Sequence, residues 1–201
     1  MSNVQLIDDN DYVSETYSSE DFSAQSFNNI EFDSCTFNSC DFSDAKFSRC
    51  KFIDCDFEQC NLSNCDLGFS KFSEVCFTNS KLIGLDWNQV NWPNFAMPAS
   101  LRFDSCIMNN SSFSGLELES LVLNECKLHE VDFREAKLAQ ADFRFSDFTH
   151  SLFSKTDLTE ADFSEAFNYT IDIFSNTIKG AKFSRIEAVN LLEGLGIELV
   201  D

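Results

Sequence analysis

The side chains with chemistry to offer are nine Cys, two His and a surplus of carboxylates, 34 Asp and Glu against 14 Lys and Arg. Cysteines can serve as thiol nucleophiles, zinc ligands or disulfide halves. Their spacing separates these roles. Cys35, Cys40, Cys50, Cys55, Cys60 and Cys65 lie at multiples of five, and Cys106 and Cys126 do so again. Zinc sites use close C-x-x-C pairs, and none occurs here. His129 and His150 have no HExxH context and no evident base or acid partner, so each reads as an exposed edge residue. No glycine-rich phosphate loop is present. The expectation is a protein that is not an enzyme and takes no metal or cofactor.

The carboxylates are spread along the chain. Residues 1–100 carry 5 basic and 16 acidic groups, and residues 101–201 carry 9 and 18, giving −11 and −9 of the total −20. That charge argues against direct binding of nucleic acid or an anionic membrane and favours a basic partner surface. No apolar run approaches the ~18 residues of a membrane span and no signal segment opens the chain, which reads as cytoplasmic.

What positions these groups is a five-residue period. Every fifth residue from Phe22 is large and apolar: Phe22, Phe27, Phe32, Phe37, Phe42, Phe47, Phe52, Phe57, Leu62, Leu67, Phe72, Phe77, Leu82, Trp87, Trp92, Met97. Tyr12 and Tyr17 extend this frame backwards. After one extra residue a second frame runs from Phe103 to Phe183, broken only by Asn168. Two residues before each large one sits a small one, and eight of the nine Cys, all but Cys76, occupy that slot.

A period of five fits neither a helix, which would smear these residues around its circumference, nor a flat strand, which would alternate them between faces. A chain that turns a corner every five residues resolves the conflict. Four repeats close one square coil of ~20 residues, and coils stack at ~4.8 Å. Residues 20 apart then share a column, as Cys35 with Cys55 and Cys40 with Cys60. Their parallel Cβ directions disfavour disulfides, so these Cys read as small core residues.

The pattern covers residues 12–183, after an N-terminal segment 1–11, and the register breaks near 97–103. Trp92, Pro93 and Pro98 mark that break as an irregularity or a kink. Residues 184–201 change character. Ser184 and Glu187 read as a capping box, and Ala188, Leu191, Leu192 and Leu195 recur at helical spacing, so a short C-terminal α-helix is expected. Phe167 and Phe174 fall outside the ladder slots. With Ile178, Leu191, Leu192, Leu195, Ile197 and Leu199 they form a candidate homodimer interface that covers the last coil.

About 34 repeats make ~8–9 coils and a rod of ~40 Å. Twenty net charges over that length is one per ~2 Å, close to the ~1.7 Å of duplex DNA. Asp21, Asp41, Asp56, Asp132, Asp142, Asp147, Asp157, Asp162 and Asp172 are the candidate outward charges, with Asp21 over Asp41 and Asp142 over Asp162 as stacked charge columns, and charge reversal at Asp142 and Asp162 is expected to leave folding nearly intact.

The array resembles the pentapeptide repeat family, which implies an all-β, right-handed quadrilateral parallel β-helix. The stretches LIGLDWNQVNWPNF and NYTIDIFSNTIKGAKFS look like the Qnr, MfpA, McbG and AlbG branch, and AlbG especially. That resemblance implies a C-terminal homodimer that mimics DNA, binds DNA gyrase, with topoisomerase IV as a further candidate, and protects it from antibiotics or toxins. The alternative is a pentapeptide repeat scaffold for another protein.

Overall fold

The structure, a computed structural model, describes residues 4–92, 101–195 and 197. It is a parallel β-solenoid of about eight turns. Each side of a coil is a very short strand or an isolated bridge, because the chain turns after three residues. The first face stacks Asp11–Val13, Glu31–Asp33, Lys51–Ile53 and Lys71–Ser73. The second is a six-stranded sheet of Thr16–Ser18, Thr36–Asn38, Asp56–Glu58, Val75–Thr78, Leu101–Asp104 and Val122–Asn124. The third carries the bridges Asp21↔Asp41↔Asn61↔Lys81↔Ile107↔Lys127↔Asp147↔Phe167. The fourth pairs Ser26–Asn28 with Lys46–Ser48 and continues through Asp86↔Ser112↔Asp132↔Leu152.

The large residues point inward and stack column by column. Phe22 lies on Phe42 with ring centroids 5.0 Å apart, Phe57 on Phe77 at 4.9 Å and Phe77 on Phe103 at 5.1 Å. Neighbouring faces meet edge to face, as Phe47 meets Phe52 at 85°. Stacking rings at the strand repeat lets one residue type fill every coil, and each aromatic pair adds roughly 0.5–1.5 kcal/mol beyond area burial.

The small slot does more than save space. Its side chains donate to the carbonyl of the large residue one coil before. Cys55 Sγ donates to Phe32 O at 3.4 Å, Cys60 to Phe37 O at 3.2 Å, Ser80 Oγ to Phe57 O at 3.2 Å and Ser146 Oγ to Leu123 O at 2.8 Å. Where the donor is Ser, its oxygen also accepts, from Cys60 N at 3.0 Å for Ser80 and Cys126 N at 2.9 Å for Ser146. A five-residue side leaves these buried groups unpaired by the main-chain ladder, and buried polar groups must be satisfied. All nine Cys are free thiols. Burial pushes Cys55 and Cys65 up to about 12, so both stay protonated donors.

At nearly every corner the residue two after the large one lies in the left-handed region, with φ between 51° and 63° at the non-glycine positions. Asn, Asp, Ser and Gly fill most of these corners, as that conformation favours.

Three expectations change. Phe77 pairs with Phe103 and Trp87 stacks on Phe113, each 26 residues on. The break is therefore an insertion of six residues between faces one and two. In units of five it shows only as a shift of one. The place that 20-residue spacing gave Met97 is taken by Phe103; Met97, Pro93 and Pro98 lie outside the described residues. Trp92 is half-buried and its Nε1 donates to Trp87 O at 2.9 Å. At the second break, Asn168 is exposed and Tyr169 turns inward against Phe163 and Phe183 instead.

The tail, finally, is a 3₁₀ helix over Glu187–Leu195, not an α-helix. No capping box closes it. Ser184 Oγ accepts from Glu165 N at 2.8 Å and Glu187 Oε2 from Asn168 N at 3.2 Å. These oxygens stand in for the carbonyls a further coil would supply.

Candidate functional site

The nine Asp expected to form an outward acidic surface fall on all four faces. Asp21, Asp41 and Asp147 are on the third, Asp56, Asp142 and Asp162 on the second, Asp132 on the fourth and Asp157 on the first. The stacked pairs Asp21↔Asp41 and Asp142↔Asp162 are present. Asp172 lies exposed among the last repeats.

Most of these carboxylates are not idle. An Asp just before the large residue accepts the backbone N–H two residues on, as Ser23 N to Asp21 at 3.0 Å, Ser43 N to Asp41 at 2.8 Å, Thr159 N to Asp157 at 3.0 Å and Phe174 N to Asp172 at 2.9 Å. This is an Asx turn. Asp132 and Asp142 add bidentate pairs with Arg134 and Arg144. Asp162 holds Ser164 N at 2.9 Å and Lys182 Nζ at 3.0 Å. Asp147 binds Thr149, Asn168 and His129, the last at 2.7 Å. Burial works to raise Asp147, but those hydrogen bonds outweigh it and hold its carboxyl down at about 2. His129, expected at an exposed edge, is half-buried through this contact; His150 is an exposed corner. The hydrogen bonds of Asp142 and Asp162 run against the expectation that their charge reversal leaves folding nearly intact; of the nine carboxylates, that of Asp56 alone makes no hydrogen bond among the described residues.

A different acidic surface emerges from the columns. Asp56, Glu58, Asp104, Asp142 and Asp162 lie on the second face. Asp54, Glu74 and Glu160 line its corner with the first, and Glu125 and Glu165 its corner with the third. Against them stand Arg102, Arg144 and Lys182. Asp56, Glu58 and the five corner acids are exposed and Asp104, Asp142 and Asp162 half-buried, and the strands and bridges of this face hold successive rungs at ~4.8 Å. Sequence reading missed the corner acids because they sit in the turn slot. The signal was there in residues 20 apart, but the six-residue insertion hid which columns continue across it.

The second candidate surface is the C-terminal end. Phe174 is 73% exposed and Phe167, Leu195 and Ile197 are exposed too. Ile178 and Leu191 instead pack against the core, and Leu192 is half-buried. Leu199 lies outside the described residues. Ile186, 85% exposed, and Val189 join the apolar set without having been expected. The 3₁₀ pitch explains the exchange: with three residues per turn, Ile186, Val189, Leu192 and Leu195 align, and Leu191 turns to the core.

The family description "Pentapeptide repeat region" matches residues 30–98 and 89–163. The chain belongs to the pentapeptide repeat family. No curated protein matches it in sequence. Among solved structures, this pentapeptide repeat rod is similar to a trypsin-treated QnrB1, a plasmid-mediated fluoroquinolone resistance protein. That match has 20% identity and a TM-score of 0.61, over 94% of this chain and 100% of that one. It is also similar to HetL, a pentapeptide repeat protein involved in heterocyst differentiation regulation from the cyanobacterium Nostoc sp. strain PCC 7120. There the identity is 15% and the TM-score 0.68, over 88% and 86%. At these identities the likeness is one of fold. No helix among the described residues is long and apolar enough to cross a membrane, and no group of His, Cys, Asp and Glu there could hold a metal ion.

Proposed function

We propose that this pentapeptide repeat rod is a DNA mimic that binds DNA gyrase in the cytoplasm and protects it from topoisomerase-poisoning antibiotics or toxins. It acts by occupying a surface and not by catalysis. The observation that carries this reading is the acid-rich second face: exposed carboxylates along that face and its two corners, held at a fixed axial repeat, the charge pattern a DNA-binding groove is built to receive. The rigidity matters because a flexible acidic tail would lose ordering entropy on binding, whereas a stacked Phe core has fixed the spacing beforehand. The fold shared with a fluoroquinolone resistance protein supports the same reading. Two copies joined through Phe174, Ile186, Val189, Leu195 and Ile197 would double the length of the rod.

A second reading, a scaffold for a protein other than a topoisomerase, is favoured by the likeness in fold to a differentiation regulator. A gyrase supercoiling assay separates the two. The DNA-mimic reading expects inhibition of supercoiling by excess protein, or fewer drug-stabilised cleavage complexes at lower dose. Unchanged supercoiling and unchanged poisoning at excess protein would leave the scaffold reading.

A further inference from the structure

A groove runs along the rod where the fourth face turns into the first. Its middle is a concavity of about 410 Å³ lined by Asn29, Arg49, Lys51, Phe69, Lys71 and Asn91. Three features set it apart from the rest of the surface.

The first is charge. On a chain of net charge −20, three cations converge on one concavity. Lys51 pairs with Glu31 at 2.5 Å, while Arg49 and Lys71 have no carboxylate within 4 Å among the described residues. The nearest acids, Asp9, Asp11 and Glu31, line the adjoining stretch toward the N-terminal end.

The second is Phe69. It occupies a corner with φ of 57° and is 71% exposed. In the same corner column stand Asn29, Arg49 and Gly115. A bulky aromatic is a poor choice for the left-handed region, and an exposed ring gains the fold little. Phe145 takes the same conformation at another corner, with φ of 61°, and is also exposed, so what distinguishes Phe69 is an exposed ring beside two cations that no carboxylate within 4 Å neutralises.

The third is shape. Lys51 and Lys71 are parallel partners on successive coils, so the groove follows the rod axis. From the coil of Asn29 to that of Asn91 it spans about 15 Å, the length of four or five extended residues at ~3.3 Å each. A single phosphate would fill only a fraction of it.

We propose that this groove docks an extended acidic segment of a partner protein, with carboxylates on Arg49 and Lys71, an apolar or aromatic side chain on Phe69, and the amides of Asn29 and Asn91 on the segment's backbone. The groove lies at the corner diagonally opposite the junction of the second and third faces, so it can act whether or not the acidic face binds gyrase.

The test titrates the full chain into a fluorescein-labelled pentapeptide, Asp-Glu-Phe-Glu-Asp, and reads anisotropy. Saturable binding is expected, weakening as salt rises from ~0.05 to ~0.3 M, with no binding of the neutral peptide Asn-Gln-Phe-Gln-Asn. Arg49→Glu with Lys71→Glu should weaken binding about tenfold or more. Circular dichroism melting checks that this variant folds, and the alanine pair replaces it if it does not. Phe69→Gly should also weaken binding while leaving Tm equal or higher, because glycine suits that corner. The proposal is overturned by any one of four results: no saturable binding; binding indifferent to the charge reversal; displacement of the labelled peptide by ATP or inorganic phosphate more readily than by unlabelled peptide, which makes it a small-anion site; or a lower Tm for Phe69→Gly, which makes Phe69 part of the fold.

Discussion

An aspartate in this rod has one of two occupations, and its place in the turn decides which. Where the corner is built as an Asx turn, the carboxylate accepts the N–H two residues on, as Asp142 accepts Arg144 N at 3.2 Å and the Arg144 guanidinium at 2.8 and 2.7 Å. Where the side is a three-residue strand, as at Asp56–Glu58, the carboxylate is exposed. The sequence shows Asp in the same repeat slot in both cases. It cannot show the difference, because the turn geometry depends on the coil below. The donor role of the small slot is hidden for the same reason: Cys and Ser there read as small residues, and the carbonyl they bond lies 23 positions away. The distinction has a measurable consequence. Asp142→Lys should destabilise the rod by about 0.5–1.5 kcal/mol, the net worth of the lost turn hydrogen bond, since the exposed Arg144 guanidinium is taken up by water. Asp56→Lys should stay within about 0.5 kcal/mol. Urea unfolding of the two variants checks the difference, and equal losses would contradict it.

Among the elements, the repeated coil was legible from the five-residue spacing of Phe and Cys alone, because only a chain turning every five residues puts all those side chains inside. The exceptions were less legible. A six-residue insertion and a one-residue insertion look alike in a period of five. The tail read as an α-helix from the spacing of Leu191, Leu192 and Leu195, yet Ser184 and Glu187 spend their oxygens on the last coil and the helix tightens to 3₁₀. This tail closes the main-chain ladder at Glu165 and Asn168 but leaves Phe174, Ile186 and Val189 apolar and exposed. An exposed apolar end on a rod is a site of association. Light scattering with size-exclusion chromatography should show a dimer near twice 22.9 kDa. Ile186→Ser with Phe174→Ser should shift it to the monomer without lowering Tm by more than a few degrees. A monomeric parent chain would remove the dimer from the account.

For the whole molecule, pH sets two effects against each other. The pI of about 4.2 means that acidification from pH 7 relieves self-repulsion, a gain that ~0.15 M salt keeps small. The turn carboxylates act the other way. Asp147 is held at about 2, and hydrogen bonds hold Asp132, Asp142 and Asp162 below the usual range. A depressed carboxyl contributes stability above its unfolded value, near 3.8, and loses it as pH falls toward the folded one. Thermal unfolding should therefore be nearly flat from pH 7 to about 4.5 and fall steeply below about 4. A Tm that declines steadily from pH 7 would mean that a group with an unfolded value near neutrality, and not these carboxylates, controls the fold.

If the second face takes the place of DNA on gyrase, as proposed, the rod and duplex DNA must compete for the enzyme. Labelled duplex DNA bound to gyrase is titrated with the rod and with a variant carrying Asp56→Lys, Glu58→Lys and Glu74→Lys, and anisotropy reports the DNA released. The parent chain should displace DNA, less effectively as salt rises, and the triple variant, folded by circular dichroism, should do so at least about tenfold less well. Displacement by both proteins alike, or by neither, would contradict it.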